Sequence, residues 1–105
     1  MISINITSQH LKQFLDAFSE SDYKSFSELL HPSLQEAIPP EAFRKIIIEN
    51  KFLSEDTEYL AYLGQVDRDS SREVLYKVKH TLHHEILWSL TYHESQTKII
   101  GLSFR

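Results

Sequence analysis

Between residues 85 and 93 apolar positions alternate along the chain. Ile86, Trp88, Leu90 and Tyr92 fall on one side of a period-two repeat, and Leu87, Ser89, Thr91 and His93 on the other. Successive strand side chains point to opposite faces, so this pattern predicts a β-strand with one heavily apolar face. Such a strand needs neighbours along both edges and a layer over its bulky face. Upstream the period is helical. Leu11, Phe14, Leu15 and Phe18 recur at i, i+3, i+4 and i+7, which predicts a helix over 9–20 with Thr7 or Ser8 as its cap. The Ser21-Asp22 step interrupts it, with Asp22 placed to cap the next helix. A second stripe, Tyr23, Phe26, Leu29 and Leu30, predicts a helix of about two turns ending before His31-Pro32, because proline disfavours helical geometry in the residue before it. Leu34 and Ile38 fall in a predicted connection that plugs the core from above. Pro39-Pro40-Glu41 opens a third helix, since proline in the first turn loses no hydrogen bond and a glutamate suits the positive end of the dipole. Phe43, Ile46 and Ile47, with Phe52 or Leu53, form its buried side.

After Ser54 the period changes to two. Residues 58–66 predict a strand, 67–72 a polar turn, 73–80 a second strand, 81–84 a connection without a glycine or asparagine signal, and 85–93 the central strand. A turn at 94–97 leads to a last strand over 98–105, in which Ile100, Leu102 and Phe104 share a face. The opening residues 1–7 (Ile2, Ile4, Ile6) read as an extended arm or a lead-in to the first helix. Three helices followed by a four-stranded antiparallel meander define an α+β domain with the helices on one face of the sheet.

Composition narrows the options. A chain of 105 residues with 41% hydrophobic and 25% charged residues is sized for a single domain, here 1–105. Without cysteine, thiol catalysis, disulfides and cysteine-held metals are excluded. The N-terminal residues lack the basic and apolar regions of a signal peptide, and no stretch approaches the length of a membrane span, so a cytoplasmic protein is expected, with no membrane partner. Eleven basic residues against fifteen acidic ones give a net charge of −4 without a basic stripe, which argues against nucleic acid as a partner. With Gly64 and Gly101 as its two glycines, the chain has no phosphate cradle of the glycine-rich kind.

Three stretches carry a family likeness: Phe14-Leu-Asp-Ala-Phe-Ser-Glu-Ser-Asp-Tyr-Lys-Ser-Phe-Ser-Glu-Leu-Leu-His-Pro, the Pro40-Glu-Ala-Phe helix start, and the ending Trp88-Ser-Leu-Thr-Tyr followed by Lys98-Ile-Ile-Gly-Leu-Ser-Phe. With them the chain resembles the NTF2-like (cystatin-like α+β) superfamily, and its ending is similar to a small branch of unknown function within it. The resemblance covers nearly the whole chain. It implies a curved sheet wrapped around the helices as a cone, often with a pocket at the open end, and often dimerisation through the sheet. It does not imply one activity, because the superfamily spans enzymes, transport factors and domains without known chemistry.

Within that frame Tyr62, Tyr76, His80, Trp88 and Tyr92 are the candidates to line a pocket between sheet and helices. A tyrosine or histidine there would polarise a carbonyl or shuttle a proton; the structural alternative is that they are core aromatics with hydroxyls at the rim. His80, His83, His84 and Glu85 lie close in sequence, but neighbouring strand residues face opposite ways, so no metal site is expected. No catalytic residue and no cofactor is assigned. The leading expectation is a small non-catalytic domain that binds a protein partner or a small apolar ligand and self-associates as a homodimer, with Tyr59, Leu63, Leu75 and Leu87 at an exposed sheet face or dimer seam. The alternatives are a cofactor-independent isomerase, dehydratase or hydrolase acting on an apolar metabolite, and a cytosolic immunity or adaptor protein for a basic partner.

Overall fold

The apolar stripe of the first helix is what the sheet closes over. The structure, a computed structural model, describes residues 4–93 and 97–105. Helix α1 (Ile4–Glu20) buries Thr7, Leu11, Phe14, Leu15, Ala17 and Phe18 along one side. It starts earlier than the residue pattern predicts: the first turn is built on Ile4–Ile6, and Thr7 lies inside the helix rather than capping it. Thr7 does not act as a cap because its hydroxyl donates back to the Ile4 carbonyl at 2.9 Å and shares a hydrogen bond with the Tyr76 hydroxyl. Residues 1–3 of the expected arm lie outside the described residues.

Helix α1 ends in a paired carbonyl-capping turn. Asp22 N–H donates to Ala17 O at 2.8 Å and Ser21 N–H to Phe18 O at 3.3 Å, with Ser21 at φ 56°. That is the left-handed position which usually takes glycine. Ser21→Gly is therefore expected to raise the unfolding free energy by about 0.5–1 kcal/mol, read as a shift of the urea midpoint at unchanged slope. An unchanged or lower midpoint would mean that the entropy glycine adds to the unfolded chain outweighs the relieved strain.

Asp22 then caps α2 (Tyr23–Ser27), its carboxylate accepting from Ser25 N–H at 3.2 Å and from the Ser25 hydroxyl at 2.8 Å. The stretch after it corrects the three-helix count. Residues read as a connection form a further helix, α3 (Pro32–Ala37), with His31 as its N-cap and Pro32 in its first turn. His31 therefore opens a helix rather than closing one. Its Nδ1 accepts from Ser33 N–H at 3.1 Å. Helix α4 (Pro40–Glu49) buries Phe43, and a 3-10 turn (Lys51–Ser54) buries Leu53.

The strands are β1 (Thr57–Asp67), β2 (Ser71–His80), β3 (Glu85–His93) and β4 (Ile99–Phe104), hydrogen-bonded in that order as an antiparallel meander. Most of the expected turn at 94–97 lies outside the described residues. Tyr76 pairs with Trp88, and Trp88 with Phe104, so one sheet face presents a row of aromatics. This inner face packs on the helices. Phe18 stacks on Phe43 at 5.2 Å and lies 6.1 Å from Trp88, while Phe26 sits 4.8 Å from Phe43. The protein is thus an α+β fold with N-terminal helices packed on a four-stranded antiparallel meander sheet. Among the described residues, no helix is long and apolar enough to cross a membrane. Gly101 marks a close approach in the sheet: a Cβ there would stand 3.1 Å from Thr91 Cβ.

Candidate functional site

The five side chains singled out in the sequence divide into a buried group of four and one at the surface. Tyr76, His80, Trp88 and Tyr92 all face the helices and are at most 1% exposed. Tyr62, across the strand pair from Tyr76, keeps 38% of its surface exposed and meets the Tyr76 ring edge-on at 5.7 Å. Alternation along β2 and β3 puts the four on one face; helix α1 then determines what their polar tips meet.

The Tyr76 hydroxyl reaches the first turns of α1. It lies 2.6 Å from Thr7 Oγ1 and 2.9 Å from Ser8 Oγ, with the Ile4 carbonyl at 3.3 Å. The Tyr92 hydroxyl lies 2.8 Å from Nδ1 of His10, one turn further along the same helix. Burial, and secondarily the nearby Tyr76 hydroxyl, raises the pKa of Tyr92 above the usual phenol range. Burial, with Lys98 adding to it, pushes His10 below its ordinary value. Both shifts favour the neutral pair, a protonated Tyr92 beside an uncharged His10, and the imidazole tautomer sets which of the two donates. Thr7, Ser8 and His10 are partners that sequence reasoning missed. Their signal was present in part, since Thr7 precedes Leu11 by one turn on the buried side of the helix and Ser8 and His10 flank that side.

His80 differs from the tyrosines. Neither ring nitrogen has a hydrogen-bond partner, and the indole Nε1 of Trp88 has none either. The His80 ring meets Phe52 edge-on at 5.0 Å and lies 6.3 Å from the Trp88 ring. Burial is the main cause of its lowered pKa; Glu55 pulls the other way, and His83 and Lys79 reinforce the lowering. Of the other residues in the histidine-rich stretch, His83 is drawn away to Glu55, with Nδ1 2.7 Å from its carboxylate. Among the described residues, no three histidine, aspartate or glutamate side chains converge as metal ligands.

A groove of about 750 Å³ lies away from the aromatics. Lys12, Leu15, Asp16 and Ser19 of α1 line it together with residues 55–60. The sheet face turned away from the helices carries Tyr59 and Ala61 of β1, Leu75 and Lys77 of β2, and Leu87 and Ser89 of β3. Leu75 and Leu87 are half-buried without belonging to the core, and charged pairs rim them: Lys77 stands 3.3 Å from Glu85, and Arg68 3.1 Å from Glu73. Glu73 also accepts from the buried Ser89 hydroxyl, and that bond, followed by the one from Arg68, holds its carboxyl below the ordinary value. Tyr59 donates to Glu85 in the same manner.

Fold and surface together define a class, a helix-capped antiparallel α+β domain with a buried aromatic interior and an amphipathic outer sheet face. No known protein family, no curated protein and no solved structure matches this chain.

Proposed function

We propose that the protein is a non-catalytic binding domain of NTF2-like type that pairs with a second copy through the outer sheet face and recognises a protein partner. The observation that carries this reading is the burial of Tyr76, His80, Trp88 and Tyr92 to at most 1% exposure, with both tyrosine hydroxyls engaged by α1. Groups committed to the helix in this way are not presented to a substrate. A domain whose interior is occupied by its own rings works through its surface.

The outer face has the composition of an interface: leucines and a tyrosine at the centre, charges of both signs at the rim. Both signs on one patch also suit a two-fold seam, where the same surface meets itself and each Lys77–Glu85 pair can face its symmetry mate. The expected outcome in sedimentation velocity is a concentration-dependent monomer–dimer equilibrium. Leu87→Glu, which puts a charge at the centre of the seam, should raise the dimer dissociation constant by about tenfold or more while the circular dichroism spectrum stays unchanged. A wild-type protein that stays monomeric up to about 1 mM, the weak end of specific association, refutes the seam.

A further inference from the structure

We infer that the open edge of β1, with the acidic groove beside it, docks an extended basic segment of a partner protein, which adds to the sheet as a further strand. This deepens the partner-binding half of the proposed function and rests on it; the seam between two copies is centred on Leu75 and Leu87 and meets this site at Tyr59.

The two edges of the sheet differ. β4 is tied down beyond its pairing with β3, because Ile99 N–H donates to Leu29 O and His31 N–H to Ile99 O, both at 2.8 Å, and Leu30 bridges to Ile99. β1 pairs with β2 alone, and among the described residues no backbone hydrogen bond reaches its other edge. This open edge belongs to an eleven-residue strand without lysine, arginine or proline, the residues that usually blunt an edge. Tyr59, Tyr62, Leu63 and Val66 are exposed along it. Two register shifts, at Thr57–Tyr59 and at Tyr62–Gly64, leave the stretch between them in regular pairing.

The groove runs beside the first half of this strand, between α1 and residues 55–60. Its walls carry the carboxylates of Asp16, Glu55, Asp56 and Glu58 and one ammonium, Lys12. Glu55 is engaged by His83 and by Leu82 N–H. The carboxylates of Asp16 and Glu58 make no ion pair or hydrogen bond among the described residues. A strand laid on the β1 edge places alternate side chains over these acids, so lysines or arginines at every second position are the complementary pattern. A second copy of β1 fits poorly. Antiparallel self-pairing about the strand centre sets residues 55–58 of one copy opposite residues 66–69 of the other, where Arg68 lies between Asp67 and Asp69 and is already held by Glu73, so the groove acids meet no surplus of positive charge.

The test uses a capped peptide of about eight residues alternating lysine with valine, matched to an ordinary strand length. Titrated into isotopically labelled protein, it is expected to shift the amide signals of residues 12–19 and 55–66 and to leave the outer-face signals of Leu75 and Leu87 in place. Asp16→Lys with Glu58→Lys should weaken binding by about tenfold. N-methylation of alternate peptide bonds should abolish it, because main-chain hydrogen bonds hold an added strand. Equal binding of the N-methylated peptide, equal binding of a glutamate–valine peptide, shifts located elsewhere, or no binding at about 1 mM each overturns the assignment. If the peptide fails while the protein still dimerises through Leu87, only the groove assignment falls. A dimer whose β1 amides become protected without peptide also overturns it, in favour of self-pairing.

Discussion

Truncating Phe18 to alanine is expected to lower the unfolding free energy by about 3–5 kcal/mol. The ring is 1% exposed and sits where the layers meet. It lies 5.2 Å from both Phe26 and Phe43, 6.1 Å from Trp88 and 6.4 Å from Phe104, so one residue of α1 touches α2, α4, β3 and β4. Removing it takes away the transfer free energy of a phenyl ring and leaves a cavity bounded by other rings, which are too rigid to fill it. For a domain of this size a loss of that order lowers the melting temperature by about 15–30 °C. Urea or thermal unfolding at one fixed protein concentration measures it, since a dimer would make the midpoint concentration-dependent. A loss under about 1 kcal/mol would mean that the helix layer collapses into the gap and that the aromatic cluster is not a rigid centre.

Replacing His80 with leucine is expected to act in the opposite direction, raising the unfolding free energy by about 1–2 kcal/mol at neutral pH and flattening the acid side of the stability profile. The wild-type residue places two polar nitrogens in the core without partners, and an apolar side chain of similar size removes that desolvation cost. The pH dependence arises from the same burial. In the folded protein the His80 pKa is depressed below its ordinary 6.5, chiefly by burial, with Glu55 opposing and His83 and Lys79 assisting. The unfolded chain therefore takes up a proton at a higher pH than the folded one. The stability this histidine allows is fully present above about pH 6.5 and is lost as the pH falls from there through the folded pKa. The limiting slope for one such proton is about 1.4 kcal/mol per pH unit. Burial and then Lys98 lower the His10 pKa in the same direction, so His80→Leu removes part of the slope and leaves the part that His10 contributes. Urea titrations between pH 5 and 8 read both effects. A leucine variant that is less stable at neutral pH would show that the His80 nitrogens are satisfied in solution.

These two residues also show how far the chain can be read without its structure. Phe18 was legible as core from the spacing of Leu11, Phe14, Leu15 and Phe18 alone, and Trp88 from the alternation of β3, because periodicity reports burial directly. His80 was legible as facing inward, in register with Val78. Its orphaned nitrogens were not, since partnership depends on what Phe52 and Trp88 bring against it from distant parts of the chain. Helix α3 was missed for a related reason. Pro32–Ala37 has too few apolar residues for a stripe, and what anchors that stretch is its N-cap at His31 together with the His31–Ile99 backbone bond to β4.

The order and type of the main elements, the faces of β2 and β3 and the absence of thiol or glycine-loop chemistry were determined by the sequence itself, because each is a local property of residue type and spacing; in β4 a register shift opposite Thr91–Tyr92 puts Ile99, rather than the expected Ile100, in the core with Leu102 and Phe104. The tertiary structure alone decided which hydroxyls α1 would engage, that the interior would be filled by the four buried side chains, and that β1 would be left as the open edge. Those outcomes depend on residues about seventy positions apart meeting across the core, as Thr7 and Tyr76 do, and no local pattern encodes that distance.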